Sequence, residues 1–373
     1  MMYNVLIVGG GPAGAASANL LSRAGLSVGL VYEPGQHRFA GGESLAPSAK
    51  PMLIELGAWS AFQADAHRVC YGNTSAWGSS HLADRSFIHS PFGNGWHLDR
   101  PRFDDSLRQV ARLAGATLLP TRIMKVARHE TGWLVSTDDP TQSSLTARFL
   151  IDASGRRATV ARTLGVPIEH HDRQVAFMGW FSAGSGAAPD EDSTTLIESV
   201  ADGWFHTALL PTGKRVVSFF TDGHLPASKL ARTRAGFSAL IQQTTHVAEC
   251  LYRSGYQLQG PPVAADARSG RLTDATGPGW LAVGDAAVRF DPLSAQGVLS
   301  ALYTGILGAK AILNEQAGSP DAFPSYSGAL DRLYDAFRTN QSVYYRQEQR
   351  WPSAPFWQAR LGAGFAAINY PQS

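Results

Sequence analysis

The sequence predicts an α/β chain: a doubly wound parallel sheet, interrupted by a strand-rich insertion and followed by a helical tail. Three observations predict it. A glycine-rich turn sits between two apolar strands at the start of the chain, over residues 3–33. A second apolar strand runs into Gly284-Asp285 and is followed by a loop and a long apolar helix pattern. Between them, residues 167–266 lose the strand-helix alternation of a parallel sheet and read as consecutive strands separated by Gly, Pro and Asp turns.

Residues 3–8 (Tyr-Asn-Val-Leu-Ile-Val) are short, continuous and β-branched, the pattern of a parallel strand buried on both faces. Gly9-Gly10-Gly11-Pro12-Ala13-Gly14 follows at once, then a helix of small residues ending at Gly25, then a strand over 26–33 that ends in Glu33. Each glycine has a physical job. Gly9 permits the tight turn, Gly11 lets backbone approach a pyrophosphate, and Gly14 lets the helix pack close to the sheet. Pro12 and Ala13 open the helix, whose N-terminal N–H groups and partial positive charge face the phosphates. Glu33 stands where a carboxylate accepts hydrogen bonds from a ribose. Strand, glycines, helix, strand and terminal acid together predict dinucleotide binding.

Three later segments say which dinucleotide. Residues 279–287 (Gly-Trp-Leu-Ala-Val-Gly-Asp-Ala-Ala) read as a strand running into Gly284-Asp285. Residues 289–297 form a loop containing Pro292, Gln296 and Gly297, and 298–313 a helix. Phe149-Leu150-Ile151-Asp152-Ala153-Ser154-Gly155 is a strand followed by Asp-x-x-Gly, and Arg100 precedes Phe103 and Leu107 at helical spacing. In this order, these elements resemble the glutathione-reductase-type Rossmann flavoproteins of the p-hydroxybenzoate hydroxylase class. The resemblance covers residues 1 to roughly 320. It implies FAD as cofactor, with Asp285 on the ribityl chain, Asp152 and Gly155 near the pyrophosphate, Arg100 against phosphates and ribityl, and the helix after Gly297 pointing its N-terminus at the flavin ring. It also implies a discontinuous FAD domain (1–64, 100–166 and 267–325), a substrate domain (65–99 and 167–266) with an inserted antiparallel sheet, and a C-terminal helical segment (326–373). Strands are expected over 175–182, 193–200, 203–210 and 214–221, and one or two helices over 231–252. The segment 187–192 reads as a turn with no function of its own.

Gly42-Glu43-Ser44-Leu45-Ala46-Pro47 resembles an element of flavin-dependent halogenases and their hydroxylase relatives. Halogenases carry Trp-x-Trp-x-Ile-Pro where this chain has Trp204-Phe205-His206-Thr207-Ala208-Leu209, so only the first Trp is kept. They also use a lysine between flavin and substrate to carry hypohalous acid, yet residues 51–124 contain no lysine and Lys50 is the one nearby candidate. The scaffold is therefore halogenase-like without halogenase chemistry. Arg346, Arg350, Trp351, Trp357 and Arg360 resemble the aromatic, arginine-rich tails of a subgroup that matures tryptophylquinone cofactors of amino-acid oxidases, where the tail meets a client protein.

The resemblance implies a monooxygenase acting through a flavin C4a-hydroperoxide. Its partners are O2, NAD(P)H or a separate reductase, and an aromatic indole-like substrate, either a small molecule or a client-protein tryptophan. Trp204, His206 and Trp77-Gly78 are the expected pocket residues, with His206 and Trp204 as catalytic candidates. The alternatives are a C=C reductase of the geranylgeranyl reductase type, a halogenase, and a non-enzymatic FAD-containing maturation partner.

Composition narrows the field further. Lys plus Arg is 32 and Asp plus Glu 30, a near balance that gives no general field for nucleic acid. The only two cysteines, Cys70 and Cys250, are far apart, which excludes a disulfide scaffold, a redox pair and a cysteine-cluster metal site, and no metal is expected. No apolar stretch is expected to approach a membrane span of about 20 residues, and no signal peptide is read at the start. A cytoplasmic location is the expectation.

Overall fold

A computed structural model describes residues 2–35, 44–130, 132–184 and 190–361. Gly42, Glu43, residues 187–189 and the tail beyond 361 lie outside the described residues.

The first sheet has eight strands. Its central strand, Met2–Val8, pairs in parallel with Ser144–Asp152 on one side and Val28–Tyr32 on the other. Thr117–Pro120 and Trp280–Ala282 continue the parallel order outward. Val5, Leu6 and Ile7 are wholly buried, as a strand covered on both faces requires. The helix Pro12–Arg23 covers one face. It stops because Gly25 takes φ 85°, a left-handed conformation open to glycine at little steric cost.

The helix Gly297–Gln316 packs directly on Pro12–Arg23. Ser17 donates to the carbonyl of Gly305 at 2.8 Å, and a Cβ on Gly305 would lie 2.4 Å from the Ala13 carbonyl oxygen. The expectation that no apolar stretch nears membrane length needs correction: these 20 residues are long and apolar enough to cross a bilayer by length and composition. Their packing explains the apolarity, because Leu302, Ala309 and Ile312 are buried in the core.

The second eight-stranded sheet contains the four strands expected in the insertion: Gln174–Ser182, Thr194–Val200, Gly203–Leu209 and Arg215–Asp222. Gly72–Ala76 joins its edge in parallel with Thr194–Val200, so the expected antiparallel sheet contains one parallel junction. That junction is possible because Gly72–Ala76 enters from a distant part of the chain, not through a hairpin. One face buries Phe177, Phe205 and Phe219 against Phe237, Leu240, Val247 and Leu251 of the helices Arg234–Ile241 and His246–Arg253. The turn read as functionless holds Asp190 and Asp192, which clamp the fully buried Arg215 at 2.7 and 3.1 Å.

Candidate active site

A cavity of about 1490 Å³ runs from the glycine turn to the free face of the second sheet. At the turn, the three glycines differ in what surrounds them. Gly9 has φ 117°, and a Cβ there would meet the Ala153 carbonyl oxygen at 2.1 Å. A Cβ on Gly14 would lie 1.9 Å from the Gly9 oxygen. A Cβ on Gly11 would have no protein atom within 4 Å, because Gly11 borders the cavity. The helix above it has no side-chain N-cap, leaving its first N–H groups for a ligand. This open cradle over Gly11, with Pro12, Ala13 and Glu33 on the same wall, fits the pyrophosphate and ribose of FAD. Glu33 is also paired with Arg157 at 2.7 Å.

Arg100 borders the cavity and holds Asp104 with two hydrogen bonds, of 3.3 and 3.2 Å. Two turns on, Arg108 lies over the Tyr32 ring at 4.8 Å and donates to the Gly10 carbonyl at 3.0 Å. The sequence reading missed Arg108. Its signal was the i, i+4, i+8 stripe of Arg100, Asp104 and Arg108, adjoining the buried Phe103 and Leu107.

Asp152 is a correction. It does not border the cavity; it is wholly buried beneath it. One oxygen accepts from the Ser154 N–H and hydroxyl, at 3.0 and 2.6 Å. The other accepts from the N–H groups of Val160 and Ala161, each at 2.9 Å. It therefore positions Ser154 and Gly155, which do border the cavity.

Midway, Asp285 and Gly284 face the cavity, and Arg156 pairs with Asp285 at 3.2 Å. The loop after it turns on Ala295, at φ 50°, and brings Pro292, Gln296 and Gly297 to the wall. The N-terminus of Gly297–Gln316 thus opens onto the cavity with Val298 and Ala301 beside it.

The sheet end follows from strand alternation. Met178, Ser218, His206, Ile197 and Ser75 form one row across five strands, each opposite the next. Beside this row, Trp204 stacks on Phe220 at 3.9 Å between centroids, and Trp77 meets Trp204 edge-on at 6.3 Å. The buried indole nitrogen of Trp204 has no hydrogen-bond partner among the described residues. Burial and the neighbouring His97 push the His206 pKa down to about 4, so its imidazole is neutral near pH 7. None of the five lysines of the chain borders the cavity. Lys50 lies instead 5.2 Å from the Trp59 ring centroid.

The tail closes the cavity from the third side, and here the expectation of a client-facing Trp357 is overturned. Trp357 is fully buried, donates to the Val200 carbonyl at 2.9 Å, and stacks with Trp351 at 6.1 Å. Arg360 pairs with Asp222 at 2.9 Å in the interior. Tyr345 and Gln341 both reach Asp291, at 2.8 and 2.9 Å, tying the helix Ala322–Gln347 to the loop before Pro292. Trp77 also donates to the Tyr344 carbonyl at 2.7 Å.

A family model described as "FAD binding domain" matches residues 2–303. A putative FAD-dependent oxidoreductase, LodB of Marinomonas mediterranea, is 31% identical and aligned over 99% of both chains. A menaquinone reductase of Mycolicibacterium smegmatis is 28% identical over 89% of this chain and 81% of its own. Among solved structures, the myxobacterial chondrochloren halogenase CndH superimposes with a TM-score of 0.83 at 23% identity, covering 96% of this chain and 86% of its own. The peptidyl tryptophan dihydroxylase QhpG, essential for tryptophylquinone cofactor biogenesis, superimposes with a TM-score of 0.77 at 24% identity, over 100% and 81%. These two likenesses establish a shared fold.

Proposed function

The chain belongs to the FAD-binding-domain family of FAD-dependent oxidoreductases, and from that premise we propose that it inserts oxygen from O2 into an indole-type ring, with a tryptophan side chain of a partner polypeptide as the preferred form. The observation that carries this reading is the aromatic, lysine-free end of the cavity, where Trp77, Trp204, Phe220 and His206 converge. A flat aromatic ring stacks well in such a setting. The lysine that the halogenase resemblance requires has no counterpart on the wall, which favours oxygen over halogen transfer. The activity of QhpG supports a peptidyl tryptophan as substrate.

Bound FAD, once reduced by NAD(P)H or a separate reductase, supplies the activation of O2. The chain supplies the rest. Backbone at Gly9, Gly11, Pro12 and Ala13 would hold the pyrophosphate, with Gly14 allowing the helix to pack close beneath it, and Glu33 would accept from a ribose. Arg100, Gly155, Gly284 and Asp285, all on the cavity wall, would hold the middle of the dinucleotide. Pro292, Gln296 and Gly297 bring a helix N-terminus to the cavity wall, where its partial positive charge would favour negative charge developing on a bound ring system. Trp204 and Phe220 orient the substrate ring and exclude water. Neutral His206 takes a proton at an imidazole nitrogen as the ring rearomatises.

Mass spectrometry of a tryptophan peptide or client, incubated with FAD-loaded protein, a reductant and isotopically labelled O2, tests the reading. Incorporation of labelled oxygen is the expected result. A halogen-dependent mass gain, or a gain of two hydrogens on a quinone or alkene substrate with no oxygen incorporated, overturns it. His206→Gln is expected to lower turnover by about tenfold to a hundredfold while leaving FAD absorbance unchanged.

A further inference from the structure

Behind the sheet end of the cavity, three residues from distant parts of the chain form a hydrogen-bonded line. His97 is 0% exposed. Its Nδ1 lies 3.0 Å from the Leu209 carbonyl oxygen and its Nε2 lies 2.9 Å from the Thr195 hydroxyl. That hydroxyl lies 3.1 Å from the hydroxyl of Ser44. Thr195 and Ser44 both border the cavity.

The direction of every bond in this line is determined. A carbonyl oxygen only accepts, so Nδ1 carries the ring proton. Burial holds the His97 pKa down at about 4, so at neutral pH the ring has one proton and Nε2 is an acceptor. Thr195 therefore donates its single hydrogen to Nε2, and its oxygen accepts from Ser44. The Cys70 thiol does not compete, since it donates to the Gly72 carbonyl at 3.3 Å and lies 3.9 Å from Thr195. Ser44 spends its hydrogen on Thr195 and shows the cavity lone pairs alone.

We infer that the Ser44–Thr195–His97 line fixes a hydrogen-bond acceptor on the cavity wall and selects substrates that bring an N–H donor there, so that an indole is held more tightly than a ring without the donor. This deepens the indole reading above and rests on it. Ser44 and Thr195 act as specificity-determining residues, and His97 as a positioning residue that sets their polarity.

The test uses full-length, FAD-loaded protein with two readouts. Nitrogen NMR of labelled histidine at pH 7 is expected to show His97 protonated at Nδ1 and bare at Nε2. Binding of indole and of its donor-free isostere benzothiophene is expected to favour indole by about tenfold. Thr195→Val is expected to bring that ratio close to one with benzothiophene binding unchanged, and Thr195→Ser to restore it. A proton on Nε2, or a ratio unaffected by Thr195→Val, overturns the inference. Failure of both rings to bind, with His97 in the expected tautomer, instead removes the indole reading and the specificity role with it, while the polarity of the line stands.

Discussion

At its glycine end the cavity is walled by backbone, the turn at Gly9 to Gly11 and the uncapped N-terminus of the helix that Pro12 opens. At its sheet end it is walled by side chains projecting from five strands, with Trp204, Phe220, His206 and Trp77 on one face. The first wall recognises what every dinucleotide has in common, and a single strand-turn-helix suffices to build it. The second recognises one ring, and residues from Ser44 to Tyr345 contribute to its placement. A mutation at the first end is therefore expected to separate cleanly into fold and ligand effects. At the second end, shape and stability share the same residues.

The glycines give the largest contrast. Gly14→Ala drives a Cβ to 1.9 Å from the Gly9 oxygen, and Gly9→Ala places one 2.1 Å from the Ala153 oxygen. Both variants are expected to lose FAD and to unfold at lower denaturant than the parent. Gly11→Ala has no protein atom within 4 Å of its new Cβ, so the ligand-free protein is expected to keep its unfolding midpoint. Its FAD affinity is expected to fall at least tenfold, because the added methyl occupies the approach of the pyrophosphate. Unfolding curves with and without FAD, beside a flavin titration, check all three. An unchanged FAD affinity in Gly11→Ala breaks the comparison.

At the sheet end the largest effect belongs to the tail. Trp357→Ala removes a fully buried side chain and its hydrogen bond to Val200, a loss of about 3–5 kcal/mol. Arg360→Met leaves Asp222 buried beside an empty position, and removing one partner of such a pair costs a similar amount, about 3–5 kcal/mol. Denaturant unfolding measures both. If either variant lost substrate binding at full stability, the tail would be a recognition element and not a structural wall.

The same contrast explains what was legible in the sequence. Gly9, Gly11, Gly14, Glu33, Asp285 and the Pro292–Gly297 loop stood out in the sequence because each belongs to a local unit whose spacing is set by one turn, and the fold puts all of them but Gly14 on the cavity wall. The four strands of the insertion were readable from their alternation, and that alternation already placed Trp204 and His206 on one face. Asp152 was misplaced because an acid ending a strand has the same local pattern whether it meets a ligand or caps the next turn, and only the Val160 and Ala161 N–H contacts decide. Trp357 was misplaced because an aromatic tail has no partner in sequence, and its partner is the Val200 carbonyl, 157 residues away. Thr195, His97 and Ser44 were not found because they meet only when the paired strands of Ser44 and His97 pack against Thr195 of a different sheet.

Asp152 offers a smaller effect that sharpens the boundary between positioning and binding. In Asp152→Asn, an amide N–H₂ faces either the Val160 and Ala161 donors or the Ser154 donors. At least one pair of donors then loses its acceptor, at about 2 kcal/mol. Stability is expected to fall by that amount, with FAD affinity reduced only as far as Ser154 and Gly155 shift. A loss of FAD binding at unchanged stability would return Asp152 to the ligand.

The smallest expected effect is the one that reads the sheet end through pH. Burial lowers the His97 pKa from 6.5 to about 4, so the unfolded chain takes up this proton more readily than the folded one as pH falls. Stability from this group is therefore complete above about pH 6.5 and is lost progressively as pH falls toward 4. Between pH 7 and 5.5 the linkage amounts to about 1 kcal/mol. No contribution of this size is expected from the backbone-walled glycine turn, which has no buried histidine. Unfolding midpoints at pH 7 and 5.5 check this, and His97→Gln is expected to flatten the slope by about that much. An unchanged slope in His97→Gln would mean that His97 is not held neutral in the folded protein, and the acceptor polarity of Thr195 and Ser44 would then lose its cause.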